Sequence, residues 1–434
     1  MKEVINIQAG SSGNSIGTKF WEMIAEDHGI GPDGIYSGSS ELQRGRMEVF
    51  FRETEENKHF PRAVVVDLES DSLNAVLQST HRALFQGDNF VSGRGGTGNI
   101  WAKGFYGEGR RYIDEVLEVI RKEADICEGL QGFNVAHSLC GGTGSGFGAL
   151  IIEKIHEQYP NRLISTFSTV SSNRLLGVMK QPYNTILSLQ HLAENANITY
   201  CIDSDGLHDI SRRMLRTREP NNDDLNHLAS MVMSGITGFL RFPGQMDCDL
   251  RTLVSRMIPF PELHFLTPSF ISSATLNTTA PSINVWRLVR ELFHRRNMIT
   301  TCGIARGHFF SNALAMIRGN ISEPEVTARI WDVRYLMAPG LSPDNISLDI
   351  YKLPAHATAF SGTVLGNTTA VKDVLADIEA HFRTLFHSRV FLHYYTDEGM
   401  EETDFAEAGN YISNLVGEYA NYDRIMDRLQ SNRW

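Results

Sequence analysis

The six residues GGTGSG at positions 141–146 have the composition of a loop that binds phosphate. Glycines allow backbone N–H groups to approach an anion closely, and the N-terminus of a helix adds partial positive charge. The hydroxyl groups of Thr143 and Ser145 could donate hydrogen bonds to phosphate oxygens. Because the motif follows a predicted strand and opens a helical stretch, we predict a phosphate site here. A glycine-rich turn that binds nothing is the alternative for this motif taken alone.

Two further glycine-rich segments follow predicted strands, GSSGNSIG at 10–17 and RGGTGNIWAKG at 94–104. Three such loops on one parallel sheet would converge at its carboxyl edge, where α/β sheets bind ligands. None of them matches the P-loop pattern with its lysine, so the predicted phosphate site is of another kind. The first segment could also belong to a nicotinamide-dinucleotide turn, but the G-x-G-x-x-G spacing of that motif is absent.

Glu69 directly follows the apolar run AVVVDL at 63–68, so it is predicted to lie at the same edge of the sheet. A carboxylate in this place could hold Mg²⁺ against phosphates, through water. A solvated loop acid is the alternative. His137 and His227 lie in apolar stretches and are predicted to be core histidines rather than metal ligands.

The elements that would position these loops alternate between strand and helix. Apolar residues at helical spacing predict an amphipathic helix at 108–122. Short apolar runs predict strands at 4–9, 63–68, 132–139, 163–170 and 198–202. This alternation predicts an α/β fold with a doubly wound, mostly parallel, Rossmann-like sheet.

The second half of the chain begins with a segment at 223–242 that is apolar around most of its circumference, which predicts a buried central helix. A second α/β domain with a mixed sheet is predicted from strands at 263–270, 299–303, 312–317 and 347–353 and helices near 286–293 and 323–331. Two C-terminal helices are predicted at 373–387 and 404–429. We therefore divide the chain into a domain with the glycine-rich loops at 1–205, an intermediate domain at 206–372 that includes the central helix, and a C-terminal helical domain at 373–434.

Composition excludes several classes of protein. A formal net charge of −11, from 40 basic and 51 acidic residues, argues against a nucleic-acid partner. The start MKEVINIQAG has no apolar h-region, so we expect no signal peptide, and no apolar run approaches the roughly 18 residues of a membrane span. The five cysteines are scattered and form no C-x-x-C pair, which predicts reduced thiols rather than disulfides or zinc ligands: Cys127, Cys140, Cys201, Cys248 and Cys302.

Longer segments identify a family. GGTGSG resembles the tubulin pattern GGGTGSG, and the likeness continues over nearly the whole chain in PRAVVVDLE, GNIWAKG, DLNHLASMVMSGITGFLRFPGQ and FLHYYTDEGMEETDFAEA. The segment SGTVLGNTTAVKDV at 361–374 is short, whereas α-tubulins carry an insertion just upstream of it. The start MKEV is similar to the β-tubulin start MREI. The chain is thus identified as a member of the tubulin family, most like β-tubulin.

The resemblance implies a tubulin-type fold whose N-terminal domain binds GTP or GDP with Mg²⁺. Subunits of this family stack head to tail, and the nucleotide lies at the joint, where the loop at 243–250 is implied to press on the neighbour's nucleotide. By matching position, Glu69 would serve the metal. The residues implied to surround the nucleotide are Gly10, Ser11, Ser12, Asn99, Ser138, Gly142, Thr143, Gly144, Ser204, Asn222 and Asn226.

The resemblance also implies partners and a place in the cell. The implied partners are an α-tubulin-like subunit, other tubulin subunits of a filament, and motors and microtubule-associated proteins. Residues 397–407, with six acidic and no basic residues, belong to the region that faces such proteins in the family. The implied location is the cytoskeleton of the cytoplasm.

Thr252 bears on catalysis. In α-tubulins this position holds a glutamate that acts in hydrolysis of the nucleotide on the neighbouring subunit, and in β-tubulins it holds a lysine. Threonine has no carboxylate, so we expect no catalytic residue in this chain. GTP hydrolysis is expected only when a partner subunit supplies the carboxylate.

The departures from the β-tubulin pattern lie mainly in the implied nucleotide site. Asn222 replaces a tyrosine whose ring stacks on guanine, a contact worth about 1–3 kcal/mol. The departing positions are Ser11, Ser12, Ser15, Cys140, Gly177, Gln181, Ser204, Asn222 and Asp247. Two interpretations stay open, namely GTP binding with altered selectivity and exchange, or a specialised structural tubulin whose site is weakly occupied. We favour retained binding because the backbone contacts to phosphate are largely kept.

Overall fold

The computed structural model describes residues 2–171, 180–215, 219–244, 249–273, 284–302, 307–332, 341–353 and 360–431. Within these ranges, ten strands form one sheet and two more form a hairpin. The strands are β1 Val4–Ala9, β2 Phe51–Glu53, β3 His59–Pro61, β4 Ala63–Asp67, β5 Phe90–Ser92, β6 Gly132–Ser138, β7 Leu163–Val170, β8 Ile198–Asp203, β9 Phe265–Ser272, β10 Phe309–Arg318, β11 Ile346–Tyr351 and β12 Ser361–Thr368.

The helices connect and cover these strands, and two π-helical turns, Lys103–Gly107 and Thr143–Phe147, precede α4 and α5. The helices are α1 Gly10–Asp27, α2 Glu41–Arg44, α3 Ser70–Leu77, α4 Glu108–Asp125, α5 Gly148–Gln158, α6 Gln181–Asn195, α7 Ser204–Leu215, α8 Asn222–Ile236, α9 Gly238–Arg241, α10 Leu250–Met257, α11 Val285–Leu292, α12 Glu323–Asp332, α13 Val371–His387, α14 His393–Thr396 and α15 Glu402–Ser431.

The strand order β11-β10-β12-β9-β8-β7-β6-β1-β4-β5 explains where a ligand can bind. From β8 to β5, all neighbouring strands are parallel, so their carboxyl ends share one edge. The chain builds outward from β1 through β4 to β5, and then returns to the other side of β1 with β6, β7 and β8. The order therefore reverses between β1 and β6, and such a switch point is where doubly wound sheets open a crevice for ligands.

The mixed part of the sheet continues the parallel part without a break. β9 pairs in parallel with β8 through Thr199–Phe265 and Tyr200–Leu266, while β12 is antiparallel to both β9 and β10. The predicted fold class is confirmed, with a Rossmann-like parallel sheet followed by a mixed α/β part and C-terminal helices. The division into three domains stays a prediction, because the sheet passes through the proposed boundary.

Helices cover both faces of the sheet, which is why the strands read as continuous apolar runs. All residues of β1 and β4 are buried. On one face, α4, α5, α6, α13 and α15 enclose one hydrophobic core, and on the other face, α1, α8 and α10 enclose a second one. A smaller core lies under α11 and α12.

The predicted central helix is interrupted and is buried along only part of its length. Asn221 caps α8 in a capping box with Asp224, and the helix ends at Ile236 before the separate turn α9. The Thr237 hydroxyl donates to the Met233 carbonyl at 2.8 Å and so competes with the helical backbone at the break. Burial begins at Leu228, so the prediction of a helix buried all round is wrong for its first two turns.

A buried ion cluster joins the end of α1 to α9 and β10. Asp27 Oδ2 lies 3.1 Å from Arg241 Nη1 and 2.8 Å from Arg318 Nη1, with all three side chains nearly inaccessible. Burial alone would raise the pKa of Asp27, but the two guanidinium groups outweigh it and lower the pKa below its usual value. The cluster fixes the central helix between the two parts of the sheet.

Three predictions of local structure need correction. The predicted strand at 299–303 is absent from its described residues; Met298 forms an isolated bridge with Ser269 instead. β12, which lies between β9 and β10, was not predicted, because its sequence SGTVLGNT has small and polar residues in place of an apolar run. The predicted loop at 10–17 is helical, since α1 begins directly at Gly10.

Candidate functional site

The start of α1, directly after β1, and the loop after β6 meet at the switch point. Gly10 has a φ of +76°, and a Cβ atom at this position would lie 2.8 Å from the backbone nitrogen of Gly144 and 3.4 Å from Cβ of Thr143. A Cβ atom on Gly144 would lie 2.9 Å from both the nitrogen and the oxygen of Ser138. The helix start and the loop therefore touch backbone to backbone, which only glycine permits at these positions.

The loop after β5 closes onto the same place. A Cβ atom on Gly142 would lie 2.3 Å from Oγ1 of Thr97 and 2.7 Å from the backbone nitrogen of Ile100. Gly141 is open by contrast, with Oδ1 of Asn99 as its nearest neighbour at 3.9 Å. Asn99 is exposed and has a φ of +57°, a left-handed conformation that asparagine tolerates better than most residues.

A pair of carboxylates lies at the end of β4. Glu69 is exposed, and its side chain approaches Gly96, where a Cβ atom would lie 2.7 Å from Oε1 of Glu69. Asp67 is buried behind it and accepts hydrogen bonds from the Ser72 hydroxyl and from the backbone N–H of Glu69 at 3.2 Å. Burial raises the pKa of Asp67, and these hydrogen bonds oppose the rise.

Asn184 of α6 holds the two outer loops together. Its Nδ2 atom donates to the carbonyl of Asn99 at 3.0 Å and to the carbonyl of Cys140 at 2.9 Å. Its Oδ1 atom accepts from the backbone N–H of Trp101 at 2.9 Å and from the Tyr395 hydroxyl at 2.6 Å. Cys140, which directly precedes the glycine-rich segment at 141–146, is thus joined to the segment at 94–104 through one amide group.

Two side chains near the phosphate motif differ from expectation. Ser145 is fully buried and its hydroxyl donates to the Gly141 carbonyl, so it is engaged within the loop and does not face a ligand as predicted. His227 is exposed, so the prediction of a core histidine is wrong there. His137 is a core histidine as predicted, with Nδ1 2.8 Å from the Gly144 carbonyl and Nε2 2.9 Å from Ser168 Oγ.

The residues implied for the base and ribose lie on other helices. Ser204 starts α7 at the carboxyl end of β8, and Asn222 and Asn226 lie in the first turns of α8. α8 packs on α1, where the Ser230 hydroxyl donates to the Ile16 carbonyl at 2.8 Å. The close approaches described above join Gly10, Ser138, Gly142, Thr143 and Gly144, and Asn99 and Glu69 lie beside them; they do not include Ser204, Asn222 or Asn226.

The remaining predicted positions are only partly described. Ser11 is exposed and Ser12 half-buried in the first turn of α1. The Gln181 side chain donates to the Ser171 carbonyl at 2.9 Å, at the end of β7. Gly177, Asp247 and Cys248 lie outside the described residues. The four cysteines in the described part are free thiols, as predicted: Cys127, Cys140, Cys201 and Cys302.

Thr252 lies in the first turn of α10 and is already engaged. Both its backbone N–H and its hydroxyl lie 2.8 Å from Oδ1 of Asp249, which caps the helix. Burial opposes ionisation of Asp249, but its hydrogen bonds with Thr252 and its ion pair with Lys2 lower its pKa overall. Asp249 is therefore an ionised helix cap.

This geometry fits a phosphate group and one hydrated Mg²⁺. Glycine at positions 10, 142 and 144 lets these segments pack closely against one another, because a side chain there would collide with neighbouring atoms. The N-terminus of α1 at Gly10 adds unpaired N–H groups and partial positive charge. Among the described residues no group of three or more His, Cys, Asp or Glu side chains could hold a metal, so Mg²⁺ would depend on Glu69, water and phosphate oxygens.

Sequence reasoning missed three residues of this region. Asp67 was read only as part of an apolar strand, although an acid at the carboxyl end of a parallel strand could have pointed to the site. Thr97 stands inside the quoted segment RGGTGNIWAKG, but nothing in its spacing shows that it packs on Gly142. Asn184 lies in a helix with no motif, and only the folded chain brings it to the loops.

The sheet, its switch point and the three glycine-rich segments define a doubly wound α/β protein with a phosphate-binding type of site. Comparison with known proteins identifies the family within this class. Residues 3–212 match the GTPase domain of the Tubulin/FtsZ family, and residues 261–380 match the tubulin C-terminal domain. The tubulin beta chain of Enteroctopus dofleini is 42% identical over 426 residues, which cover 97% of this chain and 95% of that protein. The tubulin beta-3 chain of Echinococcus multilocularis is 42% identical over 429 residues, which cover 98% and 97%.

The chain belongs to the tubulin family. Both relatives named above are β chains and are matched over nearly their whole length, so the prediction of a divergent β-like tubulin is confirmed. The match to the family's GTPase domain covers all the glycine-rich loops described above. In the described part of the chain, no helix has both the length and the apolar character to cross a membrane.

Proposed function

We propose that this chain is a β-tubulin-like subunit of the cytoskeleton that binds a guanine nucleotide and assembles head to tail with an α-tubulin-like subunit into a microtubule-type filament. The observation that supports this most is the meeting of the start of α1 with the loops after β5 and β6 at the switch point. At Gly10, Gly142 and Gly144 these loops approach one another more closely than any side chain would allow. This packing brings the N-terminus of α1 and the segment at 142–144 to one place, and N–H groups at a helix N-terminus suit the charged oxygens of a nucleotide.

The chain's own residues would divide the work of holding the nucleotide. Gly142, Thr143 and Gly144 would donate to phosphate from the loop after β6, and Gly10 with Ser11 and Ser12 from the start of α1. Asn99 and Ser138 would border the phosphates, since Asn99 lies in the loop after β5 and Ser138 ends β6. The residues for guanine and ribose would be Ser204, Asn222 and Asn226, at the starts of α7 and α8.

Glu69 would hold Mg²⁺ through water. It is exposed next to Gly96, while Asp67 behind it is buried and hydrogen-bonded to Ser72. Mg²⁺ keeps most of its waters and is bound by few carboxylates when phosphates are present, which fits a single exposed acid. When bound, the ion would neutralise charge on the phosphates.

We propose further that the chain needs a partner for GTP hydrolysis. Thr252 has a hydroxyl group of high pKa, and this hydroxyl is bonded to the helix cap Asp249, so it does not supply a base. A carboxylate from an α-tubulin-like subunit, docked against this chain, would orient or activate the water. The three-domain division at 1–205, 206–372 and 373–434 forms part of the same proposal.

The setting would be the cytoskeleton of the cytoplasm, with other tubulin subunits as neighbours. Motors and microtubule-associated proteins are the remaining partners that we propose. Their surface would be the acidic segment at 397–407, which includes the exposed Glu401 and Glu402. An acidic surface accelerates the approach of basic partners by electrostatic steering.

The test is to purify the chain with and without an α-tubulin, and to identify the nucleotide released from each preparation by chromatography. We expect about one guanine nucleotide for each folded chain, and filaments under electron microscopy only in the mixture with GTP. A folded chain that releases no guanine nucleotide, yet enters filaments, would favour the alternative of a structural tubulin with a degenerate site. Release of a nicotinamide dinucleotide would overturn the proposal altogether.

A further inference from the structure

Asn184 uses every hydrogen-bonding position of its side-chain amide. It is 0% exposed, so water does not replace any of these bonds. The amide has two donors and two acceptor sites, and all four are engaged, by the carbonyls of Asn99 and Cys140 and by Trp101 N–H and the Tyr395 hydroxyl. If the amide were flipped, its NH₂ group would face the two donors, and its oxygen would face the two carbonyl oxygens. The four bonds therefore fix a single orientation.

The four partners come from two different regions. Asn99, Trp101 and Cys140 belong to the loops that border the candidate phosphate site. Tyr395 belongs to α14 in the C-terminal part of the chain, 211 residues from Asn184. The C-terminal helices are thereby linked to the nucleotide loops by two hydrogen bonds in series through one side chain.

Tyr395 is held so that its hydroxyl remains a donor. The side chain is 0% exposed, and its hydroxyl also lies 3.3 Å from the Lys180 carbonyl. Burial, together with the neighbouring Tyr183, raises the pKa of the Tyr395 hydroxyl well above its usual range. Ring contacts with Tyr183 and Phe405, at centroid distances of 5.4 Å each, fix the position of the ring independently of the hydroxyl.

We propose that Asn184 is a positioning residue of the nucleotide site, and that the Tyr395 hydroxyl on α14 holds its amide in the orientation that sets the spacing between the loops at 94–104 and 139–144. The proposal rests on the proposed function, since it names the residues through which that site keeps its shape. Neither Asn184 nor Tyr395 touches the nucleotide in this proposal. Their effect passes through the carbonyls of Asn99 and Cys140 and the N–H of Trp101.

Tyr395→Phe is the decisive variant because it removes one hydroxyl and keeps the ring. Tyr183→Phe is its matched control, since Tyr183 is also 0% exposed, lies next to Asn184 in the chain, and donates its hydroxyl to the Val390 carbonyl at 2.9 Å rather than to the loops. We expect Tyr395→Phe to weaken binding of a fluorescent GTP analogue about 2- to 10-fold, as expected for one net hydrogen bond. Tyr183→Phe should change that affinity less than about twofold.

A second measurement is independent of nucleotide. Hydrogen–deuterium exchange should quicken at the Trp101 amide in Tyr395→Phe, because this N–H shares the Asn184 Oδ1 acceptor with the missing hydroxyl. The same amide should exchange at the wild-type rate in Tyr183→Phe. On an Asn184→Ala background, adding Tyr395→Phe should change neither quantity further, because the intermediary is gone.

The outcomes separate this proposal from the proposed function. Equal effects of the two phenylalanine variants on the Trp101 amide, or additive losses on the Asn184→Ala background, would overturn the positioning role. If the wild-type chain binds no GTP analogue at all, the proposed function fails, and the exchange of the Trp101 amide still decides whether Tyr395 acts on the loop through Asn184.

Discussion

Replacing Gly142 with alanine would test the geometry of the phosphate loops most directly. The added methyl group would lie 2.3 Å from Oγ1 and 2.6 Å from Cβ of Thr97, and 2.7 Å from the backbone nitrogen of Ile100. The first two atoms belong to a buried side chain, and the third belongs to the backbone. One of the two loops must therefore move by several tenths of an ångström or more.

The size of the effect follows from these contacts. Adding a methyl group to a close-packed region typically costs about 1–3 kcal/mol of unfolding free energy. Separation of the loops would also misplace the backbone donors, and a hydrogen bond to a charged phosphate is worth about 1.5–3 kcal/mol. Loss of one such bond weakens GTP binding by about 10- to 150-fold. The loss in affinity should exceed what the loss in stability alone would cause.

The assay is equilibrium binding of GTP to Gly142→Ala, together with chemical denaturation of the same protein. Gly141→Ala is the control within the loop, because its nearest neighbour, Oδ1 of Asn99, would lie 3.9 Å away, in ordinary contact. Gly417→Ala in α15 is the distant control, with nothing within 4 Å of its new methyl group. Adding Thr97→Gly to the Gly142→Ala protein should restore GTP binding only in part, since the clash with the Ile100 backbone nitrogen remains.

A clear result would refute this reasoning. If Gly142→Ala binds GTP as tightly as the wild type and unfolds at the same denaturant concentration, the loops do not meet as described. If Gly141→Ala weakens GTP binding as much as Gly142→Ala does, the loss of affinity comes from general stiffening of the loop and not from the contact with Thr97.

Three further predictions concern the base, catalysis and pH. Asn222→Tyr should strengthen GTP binding by about 1–3 kcal/mol through stacking on the base, and unchanged affinity would count against a stacking deficit at this position. Thr252→Glu should speed phosphate release in homopolymers, whereas the unaltered chain should release almost none; rapid release by the unaltered chain would mean that it carries its own catalytic base. Burial lowers the pKa of His137 to about 4, although its bond to Gly144 opposes this, so between pH 6.5 and about 4 the unfolded state binds the extra proton. The contribution of His137 to the unfolding free energy should therefore fall by up to about 1.4 kcal/mol per pH unit as pH drops through this range, and His137→Gln should remove that part of the slope in denaturation curves.

The helices and strands were predictable where burial requires a recognisable pattern of apolar residues. Strands covered on both faces, such as AVVVD in β4, consist of apolar runs, and the amphipathic helix α4 shows helical spacing. β12 escaped prediction because its buried sequence SGTVLGNT consists mostly of small and polar residues, so no apolar run marks the strand. The break at Thr237 escaped because a hydroxyl that bonds to the preceding turn leaves the apolar pattern unchanged.

The candidate site was predictable in its glycines and less so in its side chains. Gly10, Gly142 and Gly144 stand in recognisable loops after strands, and the structure brings these loops together. The hydroxyl of Ser145 was expected to face a ligand, but the structure shows it donating to Gly141 within its own turn. Residue type alone does not show whether a hydroxyl points into the loop or out of it.

The family, the α/β alternation and the three glycine-rich segments that could bind phosphate can be predicted from the sequence alone, because these depend on residue types that are close together in the chain. How these segments are held depends on contacts between distant parts of the folded chain. Asn184 contacts Cys140 across 44 residues and Tyr395 across 211 residues, and no local pattern encodes such distant partners. A single amide satisfies two loops and a C-terminal helix because the folded sheet places α6 between them, and the enclosed position leaves protein groups as its hydrogen-bonding partners.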